Sequence, residues 1–144
     1  GDGPERDGIA EEIRELGLQD QVEMLGSLDE TAILGLLQGA DALALTSIGK
    51  GEAAPVTVME AMSCEVPTIG TAAGGVAELI RDGQDGILVP PRDPPAMADA
   101  ILRLAGDPDL ARRLGQAGRE RIVSGFGAEA GAETLIRLVA ETRG

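Results

Sequence analysis

The sequence lacks histidine altogether, and it contains a single cysteine, Cys64, and a single aromatic residue, Phe126. Without histidine, neither a Ser-His-Asp triad nor a histidine-ligated zinc site can form from this chain. One cysteine cannot make an intrachain disulfide, which favours an intracellular compartment, so we expect a cytoplasmic protein. With so few aromatic residues, a core has to be built from aliphatic side chains and methionine, as is common around buried parallel strands.

Basic residues are also few. The chain has 12 Lys and Arg against 25 Asp and Glu, which gives a net charge of −13, and Lys50 is the only lysine. So acidic a chain repels nucleic acid polymers and anionic membranes, although a local basic patch would still allow peripheral membrane association of a full-length parent. A small anionic ligand is compatible with this charge, because amides at a helix start bind phosphate without any net positive charge.

Apolar periodicity alternates between short strands and helices along the chain. The predicted strands are Val22–Gly26, Ala42–Leu45, Pro67–Gly70 and Gly86–Val89. The predicted helices run through Ile9–Leu16, Ile33–Leu37, Pro55–Cys64 and Gly75–Ile80, and then through residues 96–105, 108–123 and 129–142. This alternation predicts one α/β domain over residues 1–144, a Rossmann-like three-layer fold with a mainly parallel sheet of about four strands and a C-terminal helical tail.

Unusual residues concentrate in Gly49–Met62, which follows an apolar strand and runs into a helix. In an open α/β sheet, ligands bind beyond the carboxyl ends of the strands. We expect Pro55 to be the first helical residue, with Ala54 at or near the N-cap. The amides that would then point out of the helix start, towards an anion, are those of Val56, Thr57 and Val58.

Two carboxylates belong to this segment, Glu52 in the loop and Glu60 about one and a half turns into the helix. Ionised carboxylates accept hydrogen bonds and do not donate them, so sugar and ribose hydroxyls would be suitable partners. Spacing alone also fits two ordinary solvated acids. Lys50 is placed to meet phosphate, although a single loop lysine equally fits a solvent-facing residue.

Glu52 and Glu60, with seven residues between them, resemble the E-x7-E signature of family 4 of the retaining glycosyltransferases, which have the two-domain GT-B architecture. The order and spacing of further segments agree over nearly the whole chain. These segments are Gly1–Arg6, Val22–Gly26, Ala40–Asp41, Ala61–Cys64 with Pro67, Gly74–Ile80, Asp82–Gly83 and Gly86–Asp93. Each is weak by itself, and together they resemble the C-terminal, nucleotide-sugar-binding domain of that family.

The resemblance implies a role for each matching position. Glu52 would contact hydroxyls of the donor sugar as the catalytic-site glutamate, and Glu60 would bond the ribose. The other implied donor-binding residues are Lys50, Ala53, Ala54, Pro55, Val56 and Thr57 near the sugar and diphosphate, and Gly26 and Ser27 near the base. No metal and no other cofactor is implied for the transfer.

Two departures from the family pattern affect these expectations. The run Ala53-Ala54-Pro55 replaces the more usual Gly-aromatic-Gly, which would alter how the sugar fits. Glu65 stands where the family usually has glycine, which predicts either a tolerant turn or a strained one.

The resemblance also implies that the chain is N-terminally truncated. In the family, a strand, a helix and a second strand precede the Gly-Asp-Gly-Pro turn and carry a basic pair that neutralises the departing diphosphate, while an N-terminal domain binds the acceptor, a saccharide or lipid-linked glycan. We expect these parts to be absent, which predicts a donor-binding piece that is inactive alone and associates with itself through unpaired strand edges. An inactive nucleotide-binding or structural fragment is the alternative interpretation, and a sugar-nucleotide epimerase or a phosphorylase is a more distant one.

Overall fold

The computed structural model describes residues 2–47, 55–127 and 131–132. The chain divides into two compact units, Gly1–Leu36 and Leu37–Gly144. In chain order the elements of the described residues are α1 (Arg6–Glu15), α2 (Glu30–Gly39), β1 (Leu43–Leu45), α3 (Val56–Ser63), β2 (Thr68–Thr71), α4 (Val76–Leu79), β3 (Ile87–Val89), α5 (Pro94–Gly106) and α6 (Pro108–Gly125).

Helix α1 of the first unit ends in a glycine-based C-cap. Gly17 has a φ of +67°, a left-handed conformation that costs glycine little. The amide of Gly17 donates to the carbonyl of Arg14 and the amide of Leu18 donates to the carbonyl of Ile13, which is the bonding pattern of a Schellman motif.

The predicted strand Val22–Gly26 is wrong, because these residues form no strand. A strand is stable only when its amides and carbonyls join a ladder, and no described residue pairs with this segment. Val22 and Leu25 are 42% and 44% exposed, so the alternation of apolar residues here buries no face. The sheet of the described residues therefore has three strands instead of about four.

The second unit contains a parallel sheet with the strand order β1-β2-β3, which confirms the predicted α/β class. Helices α3 and α4 provide the two crossovers that parallel neighbours require. Successive residues of β3 face opposite sides of the sheet. Ile87 and Val89 pack with Met97 of α5, whereas Leu88 packs on the side of Met62 of α3. The sheet therefore lies between two aliphatic clusters.

Both clusters lack aromatic side chains, in agreement with the composition, and Phe126 is 40% exposed. Asp93 and Asp107 are the N-caps of α5 and α6, and each is followed directly by a proline. The Asp93 carboxylate accepts from the amide of Ala96 over 3.0 Å, and that of Asp107 accepts from Leu110 over 2.9 Å. Such caps stabilise a helix by about 1 kcal/mol each.

Several element boundaries in the structure differ from the predicted ones. Pro55 is the N-cap of α3 and Val56 is its first residue, so Pro55 lies one position earlier than predicted. Strand β2 extends to Thr71, because this residue continues the ladder by pairing with Val89. The predicted helix over residues 129–142 lies almost wholly outside the described residues.

Candidate functional site

The three strands of the second unit end side by side at Leu45, Thr71 and Val89. Because the strands are parallel, the loops that follow them leave from one edge of the sheet. This carboxyl edge is where open α/β sheets bind ligands. Helix α3 follows the first of these strands in the chain and carries the predicted site residues Val56, Thr57 and Glu60.

Helix α3 begins with two outward-facing amides. No described residue accepts a hydrogen bond from the amides of Val56 and Thr57, and both residues are exposed. The amide of Val58 instead donates to the carbonyl of Pro55 over 3.0 Å, and the Val58 side chain is fully buried. The expected set of three amides is thus corrected to two, because the first helical turn uses the third.

Glu60 lies on the side of α3 that carries the side chains of Val56 and Thr57. It lies three residues after Thr57 and four after Val56, the spacings at which helical side chains are neighbours. Its side chain is partly exposed, and no described donor lies within hydrogen-bond distance of its carboxylate. The structure therefore places Glu60 about one turn after Val56 and Thr57 on the same helix, and its role in binding stays a prediction.

Four predicted site residues, Lys50, Glu52, Ala53 and Ala54, lie outside the described residues. Their roles stay predictions. Ser47 is the last described residue before them, and its carbonyl accepts a hydrogen bond from the hydroxyl of Thr71 at the end of β2.

A cavity of about 360 Å³ opens at the same edge of the second unit. Thr46, Thr71 and Val89 line it from the ends of the strands, and Met97 lines it from α5. Arg92 on its rim has a φ of +59°, an uncommon conformation for a residue with a side chain. Thr71 carries no distinctive signal in the sequence, because a threonine in a buried strand is an ordinary β-former.

The other two predicted residues, Gly26 and Ser27, belong to the first unit and form a tight turn. Gly26 has a φ of +70°, which requires glycine or a strained residue. The amide of Ser27 donates to the Asp2 carboxylate over 3.0 Å, and the Arg6 guanidinium lies 3.7 Å from the same carboxylate. Asp2 thus holds the turn in place.

The hydrogen bonds from Ser27 lower the pKa of the Asp2 carboxyl below its ordinary value, and the nearby Arg6 guanidinium acts in the same direction. Asp2 belongs to the Gly-Asp-Gly-Pro turn that the sequence analysis used for the resemblance without giving this residue a role. Its place in that turn was the only available signal, since its partner lies 25 residues away.

Within the described ranges, no group of three or more Cys, Asp or Glu side chains comes together in a way that could hold a metal ion. No helix in the same ranges is long and apolar enough to cross a lipid bilayer.

Two related proteins are similar in sequence to this chain over most of its length. An exopolysaccharide phosphotransferase of Streptomyces coelicolor is 39% identical over 121 residues, which cover 83% of this chain and 12% of that protein. N-acetyl-alpha-D-glucosaminyl L-malate synthase of Bacillus anthracis is 36% identical over 129 residues, covering 90% of this chain and 33% of the relative. The chain therefore spans a third or less of the length of these two proteins.

A solved structure supports the same fold. TarM of S. aureus, in complex with UDP, alpha-GlcNAc-glycerol and fondaparinux, superposes with a TM-score of 0.80 at 27% identity, over 94% of this chain and 27% of that one. Residues 1–121 match the family described as glycosyl transferases group 1. The parallel sheet and the order of its crossover helices agree with this match, and the chain belongs to the glycosyl transferases group 1 family.

Proposed function

We propose that this chain is the donor-binding part of a glycosyltransferase that transfers a sugar from a nucleotide-diphospho-sugar to an acceptor, with retention at the anomeric carbon. The start of α3 carries the proposal, because the amides of Val56 and Thr57 have no described acceptor and the partly exposed Glu60 lies about one turn after them on the same helix. The amides suit a diphosphate and the carboxylate suits ribose hydroxyls. Family membership and the UDP bound to the TarM structure support this ligand class.

In this proposal, the remaining candidate residues contact different parts of the donor. Glu52 contacts hydroxyls of the donor sugar as the catalytic-site residue. The positions near the sugar and diphosphate are Lys50, Ala53, Ala54 and Pro55, and those near the base are Gly26 and Ser27. Negative charge grows on the diphosphate as the bond to the sugar breaks, so the positive end of α3 stabilises the transition state. The proposal needs no metal and no further cofactor.

A second candidate is a nucleotide-binding or structural polypeptide without transfer activity. It is compatible with the same observation, because free amides at a helix start bind an anion whether or not a reaction follows. Calorimetry with nucleoside diphosphates followed by a donor-hydrolysis assay separates the two candidates. Binding together with hydrolysis supports the transferase, and binding without hydrolysis supports a nucleotide-binding polypeptide. Failure to bind contradicts the transferase and supports a structural polypeptide.

The role of Glu60 is tested by Glu60→Ala in the protein as its gene encodes it. Loss of a charge-assisted hydrogen bond costs about 1.5–3 kcal/mol, so the affinity for a nucleoside diphosphate should fall by roughly tenfold or more. Glu120→Ala, which removes an exposed glutamate from α6, is the matched control and should leave the affinity unchanged. Equal affinity of Glu60→Ala and wild type would remove Glu60 from the site.

The role of Glu52 is tested by Glu52→Gln in the same protein. Since Glu52 is assigned to the sugar, transfer should fall while the dissociation constant for the free diphosphate changes by less than about threefold, or roughly 0.65 kcal/mol. A collapse of diphosphate binding would mean that Glu52 and Glu60 have exchanged roles.

We further propose that the chain alone is inactive and associates with itself. The amide of Leu43 donates to the carbonyl of Pro67, on the β2 side of β1. The backbone groups of successive strand residues face opposite sides, so the amide and carbonyl of Ala44 face away from β2, where no described residue pairs with them. Unpaired strand edges favour pairing between chains. Light scattering should detect dimers or larger species, and a monodisperse monomer would contradict this. A cytoplasmic location and an acceptor that is a saccharide or a lipid-linked glycan stay predictions of the sequence.

A further inference from the structure

Strand β2 has a buried threonine at each end, and the two hydroxyl groups bond differently. At the amino end, Thr68 is 1% exposed and donates to the carbonyl of Val66, two residues earlier in the chain. At the carboxyl end, Thr71 is 4% exposed and donates to the carbonyl of Ser47, which is 24 residues away. The first bond is local, whereas the second ties two separate segments together.

The bond from Thr71 extends the connection between β1 and β2 beyond their ladder. Backbone pairing of the two strands runs from Leu43 with Thr68 to Leu45 with Gly70 and stops there. Ser47 lies two residues past the last pair, where no further ladder bond fixes the backbone. A buried hydroxyl that lost this partner would be left unsatisfied, so the bond holds both groups in place.

The position of Ser47 matters because the chain continues from it towards Glu52, five residues later. The carbonyl held by Thr71 is therefore the last fixed point of the described chain before the segment to which the proposed function assigns sugar contact. Pro55, which caps α3, is the first described residue after that segment.

We propose that Thr71 is a positioning residue for sugar transfer. Its hydroxyl fixes the backbone at Ser47, and this fixes the point from which the segment that carries Glu52 leaves the sheet. The inference rests on the proposed function. It assigns Thr71 to the sugar side of the donor, since Glu52 follows Ser47 in the chain, whereas the Val56 and Thr57 amides and Glu60 belong to α3.

The test compares Thr71→Val with Thr68→Val in the protein as its gene encodes it. Both replace a buried hydroxyl on the same strand with a methyl group of nearly equal volume. Misplacement of a catalytic group by a fraction of an ångström to 1 Å lowers turnover strongly, so kcat of Thr71→Val should fall by about tenfold or more. Its dissociation constant for a free nucleoside diphosphate should stay within about threefold. Thr68→Val should keep the wild-type kcat.

Rescue by the conservative variant separates positioning from stability. Thr71→Ser keeps the hydroxyl and should return kcat to within about threefold of wild type, even if its thermal stability is as low as that of Thr71→Val. Thr71→Ala replaces Thr71→Val if the latter does not fold. A wild-type kcat in the variants without the hydroxyl, an equal loss in Thr68→Val, or no rescue by serine would overturn the inference.

Glu52→Gln distinguishes failure of the inference from failure of the proposed function. If Glu52→Gln loses transfer and Thr71→Val does not, the proposed function survives and the role of Thr71 is rejected. If neither variant loses transfer, the assignment of Glu52 fails and the inference falls with it. If diphosphate affinity collapses in Thr71→Val, Thr71 serves the nucleotide and the proposed sugar role is rejected.

Discussion

The two units of this chain use similar apolar residues with different results. Ile9 lies on the amphipathic helix α1 of the first unit and is 48% exposed, whereas Ile69 of β2 in the second unit is fully buried. Helix α1 has no buried residue, while the sheet of the second unit has an aliphatic cluster on each side. The periodicity of apolar residues therefore determines which face of a helix or strand is apolar, whereas burial of that face depends on what packs against it.

The bonds that hold the two units also differ in range. In the first unit, the caps of α1 and α2 connect residues close in sequence, and only the bond from Ser27 to Asp2 is long-range among its side-chain hydrogen bonds in the described part of the chain. In the second unit, Arg121 donates to carbonyls of Leu79 and Glu78 on α4, more than 40 residues away. Substitutions should therefore act locally in the first unit and cooperatively in the second.

The largest effect should come from adding a methyl group to a helical glycine in each unit. A Cβ on Gly115 of α6 would lie 2.0 Å from the Glu65 carbonyl oxygen, whereas a Cβ on Gly8 of α1 would meet no atom within 4 Å. Gly115→Ala should lower the free energy of unfolding of the second unit by about 3 kcal/mol or more, because a backbone group cannot move aside cheaply. Gly8→Ala should stabilise α1 by about 0.5–1 kcal/mol.

Urea unfolding monitored by circular dichroism measures the destabilisation by Gly115→Ala, and amide hydrogen exchange within α1 measures the stabilisation by Gly8→Ala. Equal effects of the two alanines would show that α6 does not pack closely against the turn at Glu65.

The second-largest loss of stability should come from neutralising a buried carboxylate, that of Asp85. The side chain of Asp85 is fully buried, and it accepts from the amide of Arg81 over 2.6 Å and lies 3.7 Å from the Arg121 guanidinium. Asp85→Asn removes the charge between two arginines and should cost about 2 kcal/mol of unfolding free energy, less than for a wholly buried pair because Arg81 is half exposed.

Asp109 provides the matched exposed case. Its ion pair with Arg112, at 2.6 Å, lies on the surface, so Asp109→Asn should cost less than about 1 kcal/mol. Thermal denaturation of both variants at low and high salt checks the contrast. A larger loss for Asp109→Asn than for Asp85→Asn would contradict the interpretation of the buried network.

A smaller change, a gain in stability, is expected when Glu65 is replaced. Glu65 lies between α3 and β2 and has a φ of +62°. A left-handed conformation costs a residue with a side chain about 1–2 kcal/mol, partly offset by the greater freedom of glycine in the unfolded chain. Glu65→Gly should therefore raise the free energy of unfolding by up to about 1 kcal/mol. Loss of the exposed ion pair with Arg119 subtracts little. Destabilisation in urea would show that the turn is not strained.

The smallest effect concerns the turn of the first unit and its dependence on pH. The hydrogen bonds from Ser27 lower the pKa of Asp2 below 3.8, so the bond stabilises the turn above pH 3.8 and is lost as pH falls through the folded-state pKa. The amide resonance of Ser27 should shift in an NMR titration from about pH 5 to about pH 2. Asp2→Asn should abolish the shift, and an unchanged wild-type resonance would contradict the role of Asp2.

Local signals in the sequence predicted most of the second unit. Apolar periodicity predicted helices over residues 96–105 and 108–123, where the structure has α5 (Pro94–Gly106) and α6 (Pro108–Gly125). The replacement of glycine at Glu65 predicted a turn that is either tolerant or strained, and its positive φ places it in the strained class. The strand Val22–Gly26 was wrong because alternation is a local property, whereas a strand exists only through its partner.

The candidate site could be predicted only where its residues are close in sequence. Glu60, Val56 and Thr57 lie within one helical turn or slightly more, and their spacing indicates a shared face. Thr71 and Asp2 could not be assigned, because each acts on a residue 24 or 25 positions away that only the fold brings near.

The centroid of the Phe126 ring lies 5.4 Å from the guanidinium carbon of Arg121, whose side chain bonds α6 to α4. Because the chain has no tryptophan or tyrosine, it is almost transparent in the near ultraviolet, and the absorbance of a bound nucleotide base would be seen without background. Phe126→Trp would introduce a single indole beside that arginine. Its fluorescence would then report separation of the two helices from one known position.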